Sequence, residues 1–339
     1  MAYQERPAEE IVAQFKVALD KLEQDRAAVS GEAEIHPREI IYQNYDQIIR
    51  GALRLAFQAE HRLQRVAPKI EEGVVLALAG AIFMTANALE SQARYSVTAT
   101  HPKNRLLDRA LKQLGKLERY LPSLDEINHT LHGPIIWQAE IARAKAITYE
   151  RRPASRKPNL EQATNYYQKA IDIAERKITQ TLFHPNQELL MEALSVGGVA
   201  RVELAQINDL LLHDFGEEIL RERLGISKSQ KEGGIATMEG EKARMEEEIR
   251  KLFIDGRDLV WQTLEVPNYD RLETIEGRTF NYLKGHSKSE AELITDPEFL
   301  TTMEHLKKLS QQSQLVKERM KKRLAQGLIP PQFTPWFES

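Results

Sequence analysis

The sequence has no cysteine among its 339 residues. That excludes disulfides, thiolate metal sites, iron–sulfur clusters and cysteine nucleophiles, and it fits a reducing compartment. A cytoplasmic protein is expected. Charge of one sign is also scarce: 47 Lys and Arg stand against 50 Asp and Glu, a net charge of −3. No global basic field points to nucleic acid or to an anionic membrane. A Gly-rich phosphate loop, a Walker lysine, a dinucleotide fingerprint and a G-x-S-x-G elbow are all missing. The opening MAYQERPAEE is polar and acidic, so no signal peptide is expected. Long apolar runs are equally rare. Only Gly73–Leu89 is uncharged throughout, with Glu71, Glu72 and Glu90 around it. At about 17 residues it is shorter than the ~20 that a membrane span needs. Its alanines and glycines suit close helix packing, so it is read as a buried central helix, with no membrane span.

What is present is helix periodicity. Ile11, Phe15, Ala18, Leu19 and Leu22 recur three and four apart in Ala8–Val29. In Arg38–Val66, Ile41, Tyr45, Ile48, Ala52, Leu55, Ala59 and Leu63 make one stripe. Ile40, Ile49, Leu53, Ala56 and Phe57 widen it, which implies contacts on two sides. Further helices are predicted over Asn104–Leu121, Leu124–His132, Ile135–Arg151, 160–178, Gln187–Phe215 and Glu217–Leu224. After Gly225–Thr237, a polar stretch with three glycines read as a linker, helices resume near Met238, at Asp270–Leu283 and at Glu298–Gln326. Asp296-Pro297 has the cap-then-proline order of a helix start. Gly197-Gly198 inside a predicted helix implies close packing or a kink. In the last long helix Phe299, Met303 or Leu306, Leu309, Ser313, Val316, Met320 and Leu324 form a seam suited to a partner helix, coiled-coil fashion. The fold expected is all-α: a multi-helix bundle or short α-solenoid at 1–224, a linker at 225–237, a helical part at 238–326 and an extended Pro/aromatic tail at 327–339.

Ala163, Tyr167, Ala170, Ile171 and Ile173 fall at the spacing of the second helix of a tetratricopeptide repeat. Trp137, Ile141, Ala142 and Ala144 supply the first. Residues 135–200 thus resemble tetratricopeptide-like (TPR-like) helical repeats, and Tyr166–Leu204 is distantly similar to the later helices of 14-3-3 proteins. The first half lacks the 14-3-3 phosphate-clamp pattern, so that function is not carried over. The repeat resemblance implies a helical hairpin that meets protein partners, with Tyr166 as a candidate contact.

Few residues carry a chemical signature. Glu126-x-x-His129, with His132 a turn further, has the spacing of one half of a di-iron site. A second half is missing, so the motif is read as capping and surface histidine, and neither metal nor cofactor is expected. Arg151, Arg152, Arg156 and Lys157 form a basic loop. Lys307, Lys308, Lys317, Arg319, Lys321, Lys322 and Arg323 make the last helix basic, with Arg319 and Lys322 as candidate contacts. In the tail, Phe333, Trp336 and Phe337 each have on the order of 150–250 Å² to bury. They can dock on their own surface, on another copy or on a partner. No catalytic residue is assigned. The expected function is a non-catalytic protein–protein interaction protein: an adaptor, an assembly factor or a self-assembling subunit. Protein partners or self-association are expected, and no small-molecule substrate is identified. The alternatives are an all-α enzyme with its site between helices, and a nucleic-acid-associated regulator that uses the basic last helix.

Overall fold

Apolar residues spaced three and four apart leave the backbone one way to bury them together, and the chain takes it almost throughout. The computed structural model describes residues 8–32, 37–63, 68–96, 100–120, 136–153, 155–183, 186–226, 235–263 and 269–338. Among them are thirteen α-helices, packed as sequential antiparallel pairs, one 3-10 turn and no strand. Two compact units divide the chain, Met1–Ile173 and Ala174–Ser339. The expected boundary near 224 falls inside the second. The division itself lies within one helix, Arg156–Phe183.

The first unit holds α1 (Ala8–Glu32), α2 (Arg38–Leu63), α3 (Pro68–Tyr95), α4 (Thr100–Glu118), α5 (Trp137–Glu150) and the start of α6 (Arg156–Phe183). Its centre is α3, whose Val74, Ala77, Leu78, Ala81, Ile82 and Leu89 are all buried. Val74–Tyr95 is, among the described residues, the one stretch long and apolar enough to cross a membrane, and 72% of its most apolar window is buried against the fold. Small residues set the approach of its neighbours. A Cβ placed on Gly80 would stand 3.1 Å from Leu19 Cδ1, where α1 crosses α3. Thr85, which the helix also buries, returns its hydroxyl to the Ala81 carbonyl at 2.8 Å, so it leaves no orphan donor.

The second unit holds the end of α6, then α7 (Gln187–Leu224), α8 (Ile235–Trp261), α9 (Tyr269–His286), the single turn α10 (Glu290–Leu293), α11 (Pro297–Gln312), α12 (Gln314–Ala325) and the one-turn α13 (Pro335–Glu338). Asn186 caps α7 by accepting from Leu189 N at 3.0 Å, and Gly225 closes it in the left-handed region at φ +64°. The two helices expected at 187–215 and 217–224 are one helix bent at Phe215 (φ −132°). The glycine pair lies elsewhere and serves close packing. A Cβ on Gly198 would come within 2.6 Å of the Gly256 carbonyl, and one on Gly256 within 2.7 Å of the Gly198 carbonyl. There α7 and α8 touch backbone to backbone.

The single helix expected at Glu298–Gln326 is two. Ser313 takes an extended conformation (φ −134°, ψ 116°), ending α11 and capping α12. Its seam does not wait for a partner helix: Phe299, Met303, Leu306, Leu309, Val316 and Met320 are buried in the core of their own unit. The linker expected at 225–237 is described at both ends only. Ile235–Thr237 already belong to α8, and 227–234 lie outside the described residues.

Candidate functional site

Two arrangements stand out, one in each unit. The first follows from the width of the α2 stripe. Ile41, Tyr45, Ile48, Ala52, Leu55 and Ala59 are buried, and Ile49 and Ala56 with them. The stripe meets neighbours on two sides, α1 and α3, as its breadth implies, yet Ile40, Leu53 and Phe57 stay exposed, Phe57 at 69%. Beside Phe57 runs a groove between α1 and α2 of about 490 Å³. Phe15 and Leu55, both buried, form its apolar floor with Ala18, and Phe57 makes one wall. Gln14, Gln58, His61 and Arg62 complete the described lining, in which there is no acid. His61 stacks on Phe57, the ring centroids 6.4 Å apart. On α1, Val17, one turn from Gln14, is 68% exposed.

The second arrangement is a buried polar network on α8, α9 and α11. Glu276, fully buried on α9, accepts from Trp261 Nε1 and from His305 Nδ1, the latter at 2.7 Å. Trp261 stacks on the His305 ring with centroids 3.8 Å apart. The second carboxylate oxygen, Oε2, has no hydrogen-bond partner among the described residues. Burial raises the Glu276 pKa above the ordinary carboxylate value, against the pull of His305, Arg257 and Trp261. Arg257, also buried, reaches Glu298 Oε2 at 2.7 Å and Asp258 Oδ1 at 2.8 Å. Burial alone would lower its pKa, but the charge of Glu276 and its bonds to Glu298 and Asp258 hold it above the ordinary arginine value. Nearby, Arg250 makes contacts of 2.9 and 2.8 Å to the two oxygens of Asp296. Asp296 also caps α11 through Glu298 N at 2.9 Å, so one carboxylate both starts α11 and ties it to α8. Chemically, a buried carboxylate on a histidine Nδ1 fixes the ring's orientation. In the same unit Asp209 is raised by burial, with His286, 3.2 Å away, and His213 opposing.

The residues singled out from the sequence land as follows. Phe333 and Phe337 are buried, Phe337 at 1% exposure, and Trp336 packs half-buried beside them. Phe333 meets Phe299 and Trp336 edge-on at 5.9 and 5.1 Å, and Lys307 Nζ sits 4.7 Å over the Trp336 ring. The expectation of an extended tail is corrected. Pro331–Phe333 form a 3-10 turn and Pro335–Glu338 a helical one, because a proline opens each turn at a position that needs no donor. The tail docks on its own unit. Arg319 pairs with Glu273, a carboxylate buried on α9, and Arg323 lies 3.7 Å from the same group. Lys322 is exposed on α12. Tyr166 stacks on Tyr149 at 5.7 Å, under Lys145 Nζ at 5.4 Å, joining α5 to α6. In the basic loop, Arg151 pairs with Glu90 and Arg152 with Asp108 at 2.9 Å. Glu126, His129 and His132 lie outside the described residues. Among those described, no group of three His, Asp or Glu is placed to hold a metal ion.

Neither arrangement has a sequence spacing. Glu276, His305, Trp261 and Arg257 come from three helices. The groove's only signal is the excess width of the α2 stripe. A larger hollow of about 1100 Å³ follows the bend of α7, but one stretch, His213–Ile226, supplies all its described lining.

No family model matches the chain, and no curated protein matches it. Among solved structures, a chain described as "Computational Design of Self-Assembling Cyclic Protein Homooligomers" is similar over 93% of this chain and 99% of that one. The two are 11% identical, with a TM-score of 0.27. A likeness at that score says nothing of what this chain does.

Proposed function

We propose that this chain is a non-catalytic helical interaction protein, acting in the cytoplasm, whose contact surface is the α1–α2 groove rather than the C-terminal tail. The observation that carries this is Phe57. A phenylalanine left 69% exposed beside a groove with an apolar floor is unfavourable in water. The tail aromatics, by contrast, are already satisfied within their own unit. In vivo photocrosslinking tests the assignment. Benzoyl-phenylalanine in place of Phe57 is expected to give a discrete adduct, and the same probe in place of the exposed Lys112 on α4 none. No adduct at 57, or equal adducts at both positions, would count against it.

An all-α enzyme has one specific observation in its favour, the buried Glu276 on His305 Nδ1. Against it, the groups of that network mostly satisfy one another. Arg257 is held by Glu298 and Asp258, and His305 is stacked under Trp261. A bond network that joins three helices is accounted for as structure.

A further inference from the structure

The geometry points to the occupant of this groove: we infer that it is an amphipathic helix of a partner protein, with an apolar face and an acidic rim. The inference rests on the interaction surface proposed above and adds the partner's chemistry.

Charge argues for the acidic rim. On α2, Arg54 lies one turn before Phe57 and His61 one turn after it, at i−3 and i+4, and Arg62 follows His61; His61 and Arg62 line the groove itself. Arg54 and Arg62 make no ion pair among the described residues. Of the acids of α2, Asp46 pairs with Arg50 at 2.6 Å and Glu60 with Lys116 of α4 at 2.9 Å, and Glu39 lies in the first turn, at the other end of the helix from Arg62. Across the groove, the stretch of α1 from Glu10 to Leu22 is balanced, with Lys16 and Lys21 against Glu10 and Asp20, although the helix as a whole carries six acids against three cations. The groove is therefore apolar at its floor and cationic along one rim, and an acidic rim on the occupant complements it.

Shape argues for a helix. The walls are two long helices, and the floor, Phe15 and Leu55, is recessed below Phe57. A helix laid along them inserts residues at i, i+3 or i+4, and i+7 into the groove, the way two packed helices accept a third. A bilayer surface would reach Phe57 and the arginines but not the recessed floor.

Two synthetic, hydrocarbon-stapled helices of roughly five turns test this. They share one leucine face, and the polar face carries glutamate in one and lysine in the other. Fluorescence anisotropy follows their binding to the full chain, to Phe57→Ser and to Arg54→Glu/Arg62→Glu. Both variants alter exposed positions, and circular dichroism confirms that they fold. The glutamate peptide is expected to bind about tenfold tighter than the lysine peptide, the scale of two rim charges. Phe57→Ser weakens it at least as much, and Arg54→Glu/Arg62→Glu reverses the order of the two peptides. Equal affinities that still depend on Phe57 would overturn the acidic rim and leave the interaction surface standing. Binding of neither peptide would overturn both. A concentration-dependent dimer abolished by Phe57→Ser would make the occupant a second copy. Phe57-dependent binding to phosphatidylserine–phosphatidylcholine vesicles, with neither peptide bound, would make it a membrane. Either result overturns the inference.

Discussion

Adding one methyl group at Gly256 should destabilise the second unit, and adding one at Gly240, on the same helix, should stabilise it. At Gly256 the new Cβ would stand 2.7 Å from the Gly198 carbonyl oxygen, 2.9 Å from Val202 Cγ2 and 3.0 Å from Arg201 Cβ. The first and last of these are fixed to the α7 backbone and cannot swing aside. The helices must part by several tenths of an ångström, loosening the packing of Val199, Val202, Ile249, Phe253 and Val260. Overpacking of this kind costs typically 1–3 kcal/mol, and a clash with backbone belongs at the upper end. The gain in helix propensity of alanine over glycine returns about 1 kcal/mol. The net expectation for Gly256→Ala is a loss of about 2 kcal/mol. At Gly240 nothing lies within 4 Å of the added Cβ. Only the backbone term remains, a gain of roughly 0.5–1 kcal/mol.

The assay is urea unfolding followed by tryptophan fluorescence in a Trp137→Phe background. Trp261 and Trp336, both in the second unit, then report on that unit alone. The two substitutions should move the midpoint in opposite directions at unchanged slope. Equal and stabilising effects would refute backbone contact between α7 and α8 at these glycines. A change in slope would mean that the unit no longer unfolds in one step.

Three further expectations follow from the same packing. Glu276 has its folded pKa raised by burial, so its favourable contribution is complete below the unfolded value, about 4.3, and is lost as pH rises through the folded value. Glu276→Gln removes that titration, so the stability of the variant relative to wild type should rise with pH above the unfolded value in urea titrations. A flat difference, or one of opposite sign, would refute the assignment. Phe337→Ala should cost about 3–5 kcal/mol in the melting of the second unit, since this side chain is 1% exposed; a neutral result would show the tail to be peripheral. Gly80→Ala should be nearly neutral, because the atom it meets is the mobile tip of Leu19 at 3.1 Å. Gly80→Phe should unfold α1 from α3, and unchanged melting of that variant would show the crossing to be looser than the glycine implies.

Periodicity made the helices legible because helix formation is a short-range matter. The burial of Ala163, Tyr167, Ala170, Ile171 and Ile173 follows from their spacing alone, and Asp296-Pro297 announced its cap. Breaks within an apolar pattern were less legible. At Ser313 the stripe continues through the gap, since Leu309 and Val316 both remain buried, so period counting joined two helices into one. At Phe215 the reverse happened: a helix was expected to end there and another to start at Glu217, yet α7 runs on through the bend. The tail was misread because prolines exclude long helices but open single turns freely.

The candidate sites were the least legible part, and for a physical reason that separates them. Glu276, His305 and Arg257 meet only because α8, α9 and α11 pack, and no spacing along the chain encodes that meeting. The groove is different, since its residues were visible from the start. Ile40, Leu53 and Phe57 already belonged to a stripe too wide for one neighbour. Periodicity shows which face of a helix is apolar; it does not show whether the chain has another helix with which to cover it. In α3 the apolar surface extends around the helix and the fold covers it, so the excess is structural. In α2 the fold stops short, with Leu53 and Phe57 in solvent beside Arg54 and Arg62, which make no ion pair among the described residues. Apolar surface that a helix carries beyond what its own fold can bury is the feature that distinguishes a contact face from a core face. Among the described residues the combination of such surface with a groove and a cationic rim occurs at α1 and α2, which is why the inferred occupant is placed there rather than on the aromatic tail.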